Sequence, residues 1–299
     1  MTLRADKRLN RYLKIAIANS SSSGTMANVS VKRINVDNGI SVFYRTASPP
    51  DLPNAPTLLL LHGYPSSSHQ YRHLIPLLAK QYKVIAPDFP GFGFTEVPPE
   101  RNYEYTFASL TTTLAAFLDA LHISSFAVYI FDYGAPVLLR LALQRPDAIT
   151  AIVSQNGNAY EEGLGPAWVP IKAFWASNES EPREVVRNTV LTAETTKYKY
   201  THGSRFPDAI EPESYTLDAL LMMRPGNIEI QLALFKDYEN NVKMYPQFQE
   251  YFRKSQVPLL AVWGEARSVV HSSRSRCVQT GFARGGGCTF GRGPFCGRD

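Results

Sequence analysis

The sequence has 299 residues, 44% of them hydrophobic and 19% charged. That composition excludes whole-chain disorder and leaves room for about two domains, or one domain with a large insertion. No apolar run reaches the roughly 18–20 residues of a bilayer-spanning helix, so a membrane-embedded chain is not expected. The net charge of +5 is concentrated at one end: residues 265–299 hold six arginines against Glu265 and Asp299, which leaves Met1–Gly264 at +1 and without the basic stripe of a nucleic-acid partner.

Residues 1–30 read as a disordered leader: basic residues, a short apolar stretch at Ile15–Ala18, then a serine run. From Val31 the pattern sharpens. Val31–Val36 and Ile40–Thr46 flank Asp37-Asn38-Gly39 and predict a hairpin. Thr57–Leu61 is a continuous apolar run, the mark of a strand buried on both faces. Tyr71–Lys80 has helical spacing, Lys83–Ala86 is a further strand, and Phe107–Leu121 is a helix. Phe126–Phe131 (strand), Tyr133–Leu143 (helix) and Ala151–Ser154 (strand) continue the alternation. Strand–helix alternation of this kind specifies an α/β fold, a mostly parallel sheet with helices on both faces.

The rhythm stops at Gly157. Residues 157–256 are helical in pattern and rich in aromatics, and Pro258–Gly264 (PLLAVWG) is again a buried-strand run. Residues 31–156 and 257–264 thus form the core, and the block between them is placed as a lid over the strand ends, where open α/β sheets bind ligands. Residues 265–299 have neither strand nor helix periodicity and are expected not to pack, so the last strand and helix of the sheet are expected to be missing. Cys277, Cys288 and Cys296, the only cysteines, lie there without a close-paired metal knuckle; no metal site is expected. A cysteine-free body fits a reducing, cytoplasmic setting.

Two segments carry chemistry. His62-Gly63-Tyr64-Pro65 follows one strand directly, and Phe131-Asp132-Tyr133-Gly134-Ala135-Pro136 joins another to a helix. A side chain at a sharp strand-to-helix turn projects above the sheet, and small residues beside it let helix and strand approach. The projecting residue is Asp132. A carboxylate there suits displacement at a saturated carbon, with an ester intermediate, and backbone N–H groups of Tyr64 and Tyr133 are placed to meet the oxyanion formed when water attacks that ester. On its own Asp132 could be a helix N-cap, but His62-Gly63-Tyr64-Pro65, the Asp88–Gly93 loop and the lid in this order favour a nucleophile. His62 reads as a turn-stabilising residue rather than a base.

Residues 57–65, 83–95, 126–145 and 258–264 resemble the α/β-hydrolase superfamily, in particular its epoxide hydrolase and haloalkane dehalogenase branch. The resemblance spans about Val31–Gly264 and implies an α/β-hydrolase fold with a helical cap and no cofactor. It implies a hydrolase in which Asp132 is the catalytic nucleophile and the partner is a small apolar electrophile. Dehalogenases of this kind usually have Trp after the nucleophile and Asn after His-Gly, where this chain has Tyr133 and Tyr64. Epoxide hydrolases usually bring two cap tyrosines to the epoxide oxygen. Tyr238 resembles one, and Trp175 stands where the other would fall; both are pocket candidates that ordinary aromatic packing would also explain.

The resemblance also implies an acid and a histidine near the end of the chain. Arg267 occupies the expected acid position and His271 follows Gly264 too closely for another crossover, so neither a catalytic histidine nor its acid is identified. The alternatives to an epoxide hydrolase are a haloalkane dehalogenase-like enzyme and a non-catalytic or truncated product that binds a small molecule at most. Oligomeric state is unspecified by the sequence.

Overall fold

A computed structural model describes residues 27–264 and 286–290. Strands β1 (Ser30–Val36) and β2 (Ile40–Ala47) pair in antiparallel register, Val36 opposite Ile40. The turn between them holds Asp37 and Asn38 at φ 43° and 59° and Gly39 at 99°, the left-handed conformations a tight hairpin demands. The chain then alternates through β3 (Thr57–Leu61), α1 (Leu74–Leu78), β4 (Lys83–Pro87), α2 (Phe107–Ala120), β5 (Phe126–Phe131), α3 (Gly134–Gln144) and β6 (Ile149–Gln155). Six helices follow: α4 (Val169–Ala176), α5 (Ser180–Val190), α6 (Ala193–Thr201), α7 (Pro212–Met222), α8 (Asn227–Lys243) and α9 (Tyr245–Ser255). Strand β7 (Leu259–Gly264) returns to the sheet and β8 (Gly286–Phe290) lies beside it.

The sheet order is β1-β2-β4-β3-β5-β6-β7-β8, antiparallel at β1/β2 and β2/β4 and parallel from β4 onward. Its two faces bury alternate residues of the same strand. Leu59 and Leu61 join the larger core with Val128, Ile130 and Ile152, while Leu58 and Leu60 join a smaller one with Val84, Ala86, Tyr71 and Ile75. That two-sided burial is why β3 reads as unbroken leucine. On the smaller-core face, coverage by the described residues thins towards β7. Tyr129, Val153 and Leu260 are register neighbours across three strands and each is only half-buried.

Two expectations are corrected. The sheet does not end at β7: Gly286–Phe290 pairs with it in parallel from Leu260↔Gly286 to Gly264↔Phe290, so that edge is not left open. The interval from Gly264 to Gly286 exceeds the dozen or so residues that a parallel crossover needs, and an open strand edge is a ready template for even a glycine-rich partner. Ordered packing also starts earlier than Val31, because Ala27 is buried in the smaller core and Val29 packs against it. The remaining leader residues, and Arg267, His271, Cys277 and Cys296 in the tail, lie outside the described residues.

Candidate active site

The site lies at the carboxyl ends of β3 and β5. The turn after β5 is tight: Asp132 has φ 48° and Ala135 donates to its carbonyl at 3.0 Å. A non-glycine residue held there costs about 1–3 kcal/mol and persists only where its surroundings fix it. Two glycines do so. A Cβ on Gly134 would lie 2.5 Å from the Leu61 carbonyl oxygen, so α3 can only start this close to β3 without one. A Cβ on Gly63 would lie 2.4 Å from Asp132 Cβ and 2.6 Å from Tyr133 N. The turn after β3 therefore sits directly on the turn after β5, and the Tyr64 amide donates to Asp132 Oδ1 at 2.8 Å. Asp132 itself is half-buried, and Tyr133 takes helical angles at the start of α3.

His62 is fully buried between Phe89 and Phe92, with ring centroids 4.7 and 5.3 Å away. Its Nε2 accepts from the Phe89 amide at 3.0 Å, and Nδ1 lies 3.3 Å from the Gly63 carbonyl. Nδ1 therefore carries the proton, and burial pushes the imidazole down to about 3. His62 is neutral and joins two loops, the turn-stabilising part read from the sequence. Asp88 joins them too, accepting from the amides of Ser68 at 2.7 Å and Phe94 at 2.8 Å. Burial raises its pKa against those hydrogen bonds.

Around Tyr133, the residue after Asp132, stands an aromatic cluster. The Tyr133 ring meets Phe107 at 4.9 Å, Tyr238 at 5.8 Å and Phe235 at 6.0 Å. Tyr238 is placed by its neighbour: Asp237 accepts from the Phe107 amide at 2.7 Å, capping α2, while the Tyr238 ring meets Phe107 edge-on at 5.4 Å. Trp175 stacks on Tyr238, 6.2 Å apart and 6° from parallel, and Trp168 closes the group at 4.6 Å from Tyr238. The structure thus brings Tyr238 and Trp175 together beside the elbow. The Trp175 indole N–H is not free to meet a ligand, since it donates to the Phe235 carbonyl at 2.7 Å. The Tyr133 hydroxyl is buried without a hydrogen-bond partner among the described residues, and burial and the charge of Asp132 raise its pKa.

Sequence reading missed Lys199. It lies on α6, whose start is capped by Thr192 Oγ1 accepting from the Thr195 amide at 3.0 Å. Its Nζ stands 4.0 Å from the centroid of the Tyr64 ring. Lys199 is half-buried as a residue, but its ammonium end rests on a buried ring, and burial pushes it down to about 8 against the opposing pull of Asp132. Its sequence setting, Lys197-Tyr198-Lys199-Tyr200, looks like any solvated helix face. Among the described residues no group of three or more His, Cys, Asp or Glu is arranged to hold a metal, and no helix is long and apolar enough to cross a membrane. A groove of about 690 Å³ between Leu118 and Ala148 lies at the opposite end of the sheet, remote from Asp132.

The family model described as alpha/beta hydrolase fold matches residues 56–277. The chain belongs to the α/β-hydrolase-fold family. An uncharacterized hydrolase of Saccharomyces cerevisiae is 48% identical over 236 residues, 78% of this chain and 79% of that protein. A haloalkane dehalogenase of Psychrobacter cryohalolentis is 36% identical over 186 residues, 60% of this chain and 58% of that protein. Among solved structures, the epoxide hydrolase CorEH superposes with a TM-score of 0.66 at 20% identity, covering 88% of this chain and 90% of that one. The last likeness is one of fold. Within this α/β-hydrolase-fold chain the residues around Asp132 come from the sheet ends and from the helices between β6 and β7, an arrangement that lets loops and inserted helices change chemistry without changing the sheet.

Proposed function

We propose that this α/β-hydrolase-fold chain is a hydrolase of epoxide-hydrolase type, with Asp132 as its nucleophile and the helices between β6 and β7 as a cap over it. One observation carries the reading: a carboxylate held at φ 48° on the strand-to-helix turn, anchored by the Tyr64 amide at 2.8 Å, next to a cluster of aromatic rings around Tyr133. The bond from Tyr64 orients the carboxylate in the resting state. An Asp132 oxygen attacks a saturated carbon of a small, largely apolar electrophile, and the pair of electrons in the breaking bond leaves with the departing atom. When water later attacks the carboxyl carbon, the amides of Tyr64 and Tyr133 stabilise the oxyanion.

Oxygen is favoured over halide as the departing atom. Tyr64 and Tyr133 offer no side-chain N–H, and the indole of Trp175 is committed to Phe235. The epoxide hydrolase likeness in fold and the dehalogenase likeness in sequence are compatible with either, so the preference rests on the side chains of Tyr64, Tyr133 and Trp175. Among the described residues no histidine is assigned to the second step. His62 is neutral with its Nε2 occupied, and His73 is paired with Glu211 at 3.2 Å. His202 stacks on Tyr198 at 4.3 Å. Among the described residues none of these histidines is placed to act as the base, and an ester without one loses general-base help worth about 10²–10⁴-fold.

The test is intact and peptide mass spectrometry after incubation with a panel of epoxides and haloalkanes. An adduct mapping to Asp132, absent in Asp132→Ala and larger with epoxides, is expected. An adduct on another carboxylate would overturn the assignment, and rapid turnover without accumulation would show that a base does act in the second step.

A further inference from the structure

Opening an epoxide leaves an alkoxide, which needs a proton as the ring carbon–oxygen bond breaks. Of the two positions expected to supply donors, Tyr238 lies beside the elbow but Trp175 has given its N–H to a backbone carbonyl at 2.7 Å. Two lysines of the helical block differ in a way that bears on this gap. Lys236 on α8 donates to the carbonyls of Phe174, Trp175 and Ser177 at 2.7, 3.0 and 2.8 Å, closing the end of α4. Lys199 makes no hydrogen bond or ion pair among the described residues; its ammonium rests on the Tyr64 ring at 4.0 Å and is drawn electrostatically by Asp132. A half-buried ammonium with its N–H donors unspent, over the residue whose amide holds the nucleophile, is a donor waiting for an oxygen.

We propose that Lys199 donates the proton to the leaving oxygen in the ring-opening step, an inference that rests on the reading of Asp132 as nucleophile. The step balances within the site. An Asp132 oxygen forms a bond to the epoxide carbon, the electron pair of the broken bond passes to the ring oxygen, and that oxygen takes a proton from Lys199. The products are a hydroxyalkyl ester of Asp132 and a neutral lysine amine, which regains its proton from water. The lowering of Lys199 to about 8 keeps it protonated at neutral pH yet able to give the proton up.

Among the described residues the titratable groups around Lys199 are these. Tyr64 and Asp132 face it from the sheet ends. Glu194, Lys197, Tyr198 and Tyr200 share its helix, and Asp218 on the adjacent α7 accepts from the Tyr200 hydroxyl. The arginines of α5, Arg183 and Arg187, are paired with Glu184 of the same helix and Glu229 of α8, and Glu181 is the remaining charge of α5.

The measurement is the rate of Asp132 ester formation against pH, by rapid-quench mass spectrometry, with styrene oxide and a 1-bromoalkane. For the epoxide the rate should fall as pH rises through about 8. Lys199→Met should lower it about 10²–10⁴-fold and abolish that fall. Lys199→Arg, charged throughout the range, should move the fall out of reach, and Asp218→Asn should leave it in place. The bromoalkane, whose leaving group needs no proton, should lack the fall in every protein and lose far less in Lys199→Met. Persistence of the fall in Lys199→Met, or equal losses on both substrates, overturns Lys199 as donor while leaving Asp132 intact. Absence of any Asp132 ester in the unaltered protein overturns both readings.

Discussion

A carboxylate at φ 48° is an unusual conformer, and Asp132 can hold it because short polar side chains tolerate the left-handed region better than most. Asn shares that tolerance and can still accept from the Tyr64 amide. Asp132→Asn should therefore unfold within about 1 kcal/mol of the unaltered protein in urea while forming no ester, a separation of stability from chemistry. Gly63→Ala should show the opposite coupling. Its Cβ would meet Asp132 Cβ at 2.4 Å and the Tyr133 nitrogen at 2.6 Å, and neither backbone can retreat without moving a strand end. We expect a loss of about 1–3 kcal/mol together with loss of ester formation, read by urea unfolding and intact mass. A Gly63→Ala protein of unchanged stability and activity would contradict the contact between the two turns.

At the scale of elements, the link between the helical block and the loop after β3 is itself titratable. Asp218 of α7 is almost fully buried and accepts from Tyr200 of α6 and from Ser66 Oγ at 3.3 Å. Burial pushes its carboxyl up to about 7, with the two hydrogen bonds opposing. A folded pKa above the unfolded value of about 3.9 means that the folded state favours the proton. The stability this contributes is complete below about pH 4 and is lost as pH rises through about 7. Asp218→Asn, fixed in the neutral form, should flatten the slope of urea midpoint against pH over that interval. Parallel slopes for the two proteins would show that Asp218 does not couple to folding.

For the molecule as a whole, legibility follows from how locally each feature is encoded. Strands β3 and β5 stand where the apolar runs at Thr57–Leu61 and Phe126–Phe131 put them, because burial on both faces leaves no polar interruption. The contact between Gly63 and Asp132 was legible only as two motifs, since the register that joins them belongs to β3 and β5 together. Lys199 was not legible at all: the ring it rests on is distant in sequence, and a lysine in a helix of mixed polarity carries no mark of its inward end. Strand β8 was missed because Gly286-Gly287-Cys288-Thr289-Phe290 has little strand propensity, and its pairing depends on the open edge of β7.

The row of Tyr129, Val153 and Leu260 across β5, β6 and β7 has a consequence for handling the protein. Three half-covered apolar side chains in register make a strip of surface whose contact with water is unfavourable, and excluded salts such as sulfate raise that cost. The protein should be retained strongly on a phenyl column in ammonium sulfate and should salt out early. Replacing Val153 and Leu260 by threonine should shorten retention while leaving the Asp132 ester unchanged, because the strip lies on the smaller-core side of the sheet. Chromatographic behaviour thus becomes a readout of one sheet face, separate from every reading of the active site on the strand ends.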